Sequence, residues 1–136
     1  MSKRRMDEKY LVDTNILIYY LADKIPAKEV ARIEEIFRTS FNISIITKIE
    51  FLGWGKYSEE GFEKVAKFIR FANVIPLIDE IADLTINMRR KYKMKLPDTV
   101  IAATALHNGL ILITRNEDDF KDIEELKIYN PFKIGR

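Results

Sequence analysis

Cysteine is absent from the 136 residues and histidine occurs once, at His107. Disulfides, thiolate metal sites and a cysteine nucleophile are thereby excluded, and any metal site has to be built mainly from oxygen ligands. Glycine (5) and proline (4) are scarce. With no repeat, low-complexity tract or Ser/Pro/Gly-rich linker, this speaks for one compact unit and against a collagen-like chain. No apolar run approaches the ~18–20 residues that span a bilayer. An excess of one charge is missing too: 23 Lys+Arg face 21 Asp+Glu, a net charge of +2, so bulk charge does not announce nucleic-acid binding. What remains is a globular balance of 47% apolar and 32% charged residues, in a length that suits a single domain over 1–136. Residues 1–8 are basic like the start of a signal peptide, but Asp7, Glu8 and Asp13 interrupt the pattern and no small-residue cleavage site follows. A soluble, cytoplasmic protein with no membrane contact is expected.

Apolar patterning gives the fold class. Tyr10-Leu11-Val12 reads as a buried first strand, stopped by Asp13-Thr14-Asn15, and Ile16 to Leu21 as helix. Pro26 opens a second helix with Val30, Ile33, Ile36 and Phe37 at helical spacing. Asn42 to Ile46 reads as the second strand, Thr47 to Lys56 as a short helix, and Phe62, Val65, Ala66, Phe68 and Ile69 as the stripe of another. A short apolar piece, Val74 to Leu77, precedes a long helix from Asp79 into Lys93. Pro97 starts the next, Asp98 to His107, with Gly109 as its left-handed stop. Leu110 to Ile113 is continuous and apolar, as central parallel strands are, and Lys127 to Tyr129 reads as a final edge strand. Continuous strands alternating with helices predict an α/β fold, a central parallel sheet flanked by α-helices.

Taken singly, each acid has an ordinary structural explanation. Asp13 suits a helix cap, and Thr47 with Glu50 matches a capping box. Asp98 suits the positive end of a helix dipole, and Asn116, Glu117, Asp118 and Asp119 suit a solvated turn. Together they say more. Ligands of open parallel sheets bind beyond the carboxyl ends of the strands, where Asp13, Glu50 and the 116–119 loop all emerge. Asp98 starts the helix preceding the Leu110 strand, at the opposite end by simple counting, unless that helix lies across the carboxyl edge. Converging carboxylates repel unless a cation neutralises them. Oxygen-only ligation selects Mg²⁺ or Mn²⁺ over zinc, and the matching chemistry is metal-activated water attacking a phosphodiester.

Four segments, in order, resemble the motifs of PIN-domain ribonucleases of the VapC toxin type: Leu11 to Ile18, Ser44 to Gly53, Leu96 to Ala105 and Leu112 to Phe120. The resemblance spans nearly the whole chain. It implies a small parallel sheet wrapped by helices, a homodimer, a cognate antitoxin as partner, and Mg²⁺- or Mn²⁺-dependent endonucleolytic cleavage of an RNA substrate. It places the principal metal ligands at Asp13 and Asp98, and the third acid at Glu50. Many relatives carry a fourth acid where this chain has Asn116, and Asp119 stands as the alternative supplier of that charge. Thr14, Asn15 and Thr114 are then the donors that orient the carboxylates.

Other features carry less. His107 sits late in a helix, where a cation suits the dipole. Arg89, Arg90, Lys91, Lys93 and Lys95 read either as a solvated helix end or as a grip on RNA phosphates. Trp54, Tyr57 and Phe62 read as core aromatics or as a partner contact. A rival function, a non-catalytic RNA- or protein-binding module retaining the fold, is opposed by the joint presence of Asp13, Glu50 and Asp98. A receiver-type phosphoacceptor wants paired acids after its first strand, and here Asp13 stands alone.

Overall fold

A computed structural model describes residues 8–133; the basic opening at residues 1–7 lies outside them. Five parallel strands form one sheet in the order β3-β2-β1-β4-β5. In chain order they are β1 (Tyr10–Val12), β2 (Asn42–Ser44), β3 (Asn73–Ile75), β4 (Ile111–Ile113) and β5 (Ile128–Tyr129). The helices are α1 (Thr14–Leu21), α2 (Ala27–Thr39), α3 (Ile45–Leu52), α4 (Glu59–Ile69), α5 (Asp79–Lys91) and α6 (Leu96–Asn108). None of them is long and apolar enough to cross a membrane.

The strands are apolar on both faces because the sheet has a core on each side. Tyr10, Val12 and Ile113 point into a cluster with Ile16, Ile33, Ile36 and Phe51. Leu11 and Leu112 point the other way, to Ile81, Met88, Ile101 and the alanines of α6. Burying each large apolar side chain contributes about 1.5–3 kcal/mol. The β1–β4 pair is fully buried at Leu11, Val12, Leu112 and Ile113, at the centre of the sheet.

Three readings change. The second strand stops at Ser44, because that side chain caps α3 by accepting from the Ile46 amide at 3.1 Å, and Ile45 and Ile46 belong to the helix. The proposed Thr47–Glu50 capping box therefore does not form. The apolar piece near Val74 is a true edge strand, β3, paired with β2. Asp98 lies at the carboxyl edge after all. Gly109, at φ 64°, turns α6 directly into the start of β4, where the Leu110 amide donates to the Ala105 carbonyl. A helix feeding a strand through so tight a turn runs antiparallel to it, so its first turn lies at the strand's far, carboxyl end.

Candidate active site

Asp13 ends β1 and caps α1, so the capping role expected of it is real. It is also far more enclosed than a cap needs, at 4% exposure. Its Oδ1 accepts from the Thr14 amide at 2.8 Å, and its Oδ2 accepts from Asn15 Nδ2 at 3.0 Å and from the buried Thr114 hydroxyl at 2.8 Å. Thr114 Oγ1 in turn accepts from the Asn116 amide at 3.1 Å and from Asn15 Nδ2 at 3.3 Å. Of the residues expected to orient the carboxylates, Asn15 and Thr114 reach Asp13 through their side chains and Thr14 through its amide. Burial nonetheless pushes its pKa up to about 6, with the charges of Asp98 and Glu50 adding to the rise and the Thr114 and Thr14 hydrogen bonds opposing it.

Glu50 projects from α3 and is exposed. Thr14 Oγ1 lies 3.0 Å from both Glu50 Oε1 and Thr47 Oγ1. One hydroxyl proton serves one acceptor, so Thr14 donates to the Glu50 carboxylate and accepts from Thr47. Thr47, fully buried, was read as a cap and is instead the inner end of this relay. A small polar residue on the inward side of an apolar helix was the available signal.

Asp98 is in the first turn of α6, half-buried, and its carboxylate accepts no hydrogen bond from the described residues. Burial raises its pKa, the neighbouring charges of Asp119 and Glu50 raise it further, and Lys95 lowers it. Asp119 lies in a 3₁₀ turn, Glu117–Phe120, whose start is Asn116; both Asp119 and Asn116 are exposed. The loop is held from below by Asn130, which sequence reasoning missed. Its Nδ2 donates to Glu117 Oε2 at 2.8 Å and to the Arg115 carbonyl at 3.2 Å. An asparagine just after a short edge strand gave only a turn signal.

Glu50 and Asp98 raise the proton affinity of Asp13, and Glu50 and Asp119 raise that of Asp98, so the four acids share one electrostatic neighbourhood. Among the described residues, no three His, Cys, Asp or Glu side chains stand close enough to clasp an ion between them. The donor set still fits a hard cation. It is all oxygen, it carries negative charge that Lys95 offsets only in part, and Mg²⁺ characteristically takes one or two carboxylates and keeps waters. Beside the acids, Ile18, Leu21, Phe51 and Trp54 line an apolar groove with Glu50 at its rim. Trp54 is 56% exposed, so it is not core, whereas Tyr57 is half-buried and donates to the Phe51 carbonyl at 2.7 Å. Of the basic run, Lys93 and Lys95 flank Asp98 along a shallow cleft that includes Asp118 and Asp119.

The PIN-domain model matches residues 10–126. No curated protein matches the chain. Among solved structures, a chain of a toxin–antitoxin complex from Klebsiella pneumoniae is similar at 34% identity and a TM-score of 0.75, over 93% of this chain and 100% of that one. A chain of VapBC-1 from nontypeable Haemophilus influenzae is 25% identical with a TM-score of 0.78, covering 91% and 98%. A chain of DNA-bound VapBC from Salmonella typhimurium has 24% identity and a TM-score of 0.79, covering 91% and 98%, a likeness of fold.

Proposed function

The chain belongs to the PIN-domain family, and from that premise we propose that it is a Mg²⁺- or Mn²⁺-dependent endoribonuclease, the VapC-type toxin of a toxin–antitoxin pair. The observation that carries this reading is the shared negative field of Asp13, Glu50, Asp98 and Asp119 at the carboxyl edge of the sheet. A purely structural set of caps would not place like charges where they disfavour the ionisation of Asp13 and Asp98.

Asp13 and Asp98 would hold the cation, with Glu50 as the third acid. When bound there, the cation supplies an activated water and charge neutralisation for phosphodiester hydrolysis. Thr114, Asn15 and the Thr14 amide keep Asp13 in one orientation. Thr14 fixes Glu50 through Oε1, leaving Oε2 to accept a proton from the attacking water. Asn116 offers a neutral amide, and Asp119 supplies the charge that Asn116 lacks.

The partner follows from the surface. An antitoxin segment with an apolar face suits the groove of Ile18, Leu21, Phe51 and Trp54, and an Arg or Lys on it suits the acids at the rim. A homodimer suits α5, where Ala82 and Ile86 lie one turn apart and the exposed Ile86 and the exposed N-cap residue Ile78 offer apolar surface. The direct test is cleavage of single-stranded RNA by pure protein. It should need Mg²⁺ or Mn²⁺ and stop with EDTA, and robust cleavage in EDTA would overturn the reading.

A further inference from the structure

Arg115 has no place in the acidic machinery, yet it is one of the most deliberately held exposed side chains in the molecule. Its guanidinium carbon lies 4.3 Å from the centroid of the Phe132 ring and 5.0 Å from that of Tyr19. Those two rings meet edge to face at 5.2 Å and 62°, so they form an angled cradle. The backbone is fixed as well: the Arg115 amide donates to Asn15 Oδ1 at 3.2 Å, and its carbonyl accepts from Asn130. The ring contacts leave the Arg115 guanidinium N–H donors without a hydrogen-bond partner among the described residues. Among the described residues no carboxylate pairs with it. A cation held rigidly, unpaired and exposed, next to a cluster of acids, is built to receive an anion.

We propose that Arg115 grips a backbone phosphate of the bound RNA, next to the one that is cut; this rests on the ribonuclease reading above. The position decides which phosphate. Asn15 touches both Asp13 and the Arg115 amide, whereas the guanidinium lies over Tyr19, one turn further along α1 and ~5–6 Å from Asn15. That offset removes it from the scissile phosphate and brings it to a neighbour on the strand. A planar fork suits two phosphate oxygens at once, which a lysine cannot copy. The contact carries no base information, so it sets the register of the strand over the acids rather than its sequence.

The test is binding of a fluorescent single-stranded RNA by anisotropy, in EDTA so that the strand stays intact, across a range of salt. Arg115→Met should weaken binding about tenfold at low salt and make the salt slope shallower by about 0.7, one phosphate contact on a single strand. Arg115→Lys should restore the slope but only part of the affinity. In steady-state cleavage with Mg²⁺, Arg115→Met should raise KM and leave kcat within about twofold, the pattern of lost uniform binding. Unchanged affinity and slope in Arg115→Met would overturn the assignment while leaving the ribonuclease reading intact. A fall in kcat with unchanged KM would overturn it too, because it would put the arginine at the reacting phosphate. Wild type that neither binds RNA at low salt nor cleaves it with Mg²⁺ or Mn²⁺ would remove the ribonuclease reading, and this inference with it.

Discussion

Asp13 and Asp98 are the same residue type in the same crevice, but Asp13 accepts three hydrogen bonds at 4% exposure. Asp98 is half-buried and accepts none from the described residues. Asp13 stands at the end of the buried β1–β4 centre of the sheet, while Asp98 stands on the first turn of a helix. The contrast separates two jobs. Donors around Asp13 offset part of the cost of burying a carboxylate and fix its direction. Asp98 keeps its lone pairs for a ligand, and its own conformation is free to adjust to one.

If both are ligands, the largest effect treats them alike. Asp13→Asn and Asp98→Asn should each lower RNA cleavage more than a hundredfold, beyond the ~10–100-fold usual for residues that only support a ligand. Steady-state assays with Mg²⁺ check this, and a surviving Asp98→Asn would break the symmetry and leave Asp98 as a helix-end acid. The next effect comes chiefly from Asp13, with Asp98, whose pKa is also raised, adding in the same direction. The Asp13 pKa is pushed up to about 6 from 3.8, so between those values the folded protein binds more protons than the unfolded one. Metal-free stability should therefore fall as pH rises from about 4 to about 6, with at most about 3 kcal/mol of the fall from Asp13. Urea midpoints in EDTA should show this fall, and Asp13→Asn should remove most of it.

A smaller effect follows from the donors. Thr114→Val keeps the shape of a fully buried residue and removes its hydrogen bond to Asp13. Cleavage should drop about 10–100-fold, and its acid limb should move to higher pH because Asp13 loses a bond that favours its charged form. The smallest effect is on the other wall. In EDTA, Asp98→Asn relieves repulsion from Asp119 and Glu50, and should melt slightly higher than wild type, by less than ~1 kcal/mol given solvent screening. Loss of a helix-end charge predicts the opposite sign.

The strands at Tyr10 and Leu110 were legible because buried parallel strands are apolar without interruption, whereas β2, Asn42–Ser44, showed only through the apolar Ile45 and Ile46 that belong to α3. β3 was not assigned, since three residues at an edge with Asn73 exposed carry almost no pattern. The acids were legible as a set because they follow strands or open a helix, but their supports were less so. Thr47 looked like a cap because Ser44, the true cap, stood inside what read as a strand. Asn130 and Arg115 act across 15 or more residues of sequence, through contacts to a loop and to aromatic rings that no local period encodes. Asp98 was misplaced by counting elements, and the turn at Gly109 corrected it.

The measurement closest to the central claim is the thermal melt of wild type and Asp98→Asn during titration with Mg²⁺ or Mn²⁺ from an EDTA-treated start. A site that binds only when folded gains stability with every rise in free cation. Wild type should therefore climb steadily in Tm and overtake the variant, whose response should be much weaker because one charged ligand is gone. Equal responses from the two proteins, or none from either, would contradict a divalent-cation site at these acids.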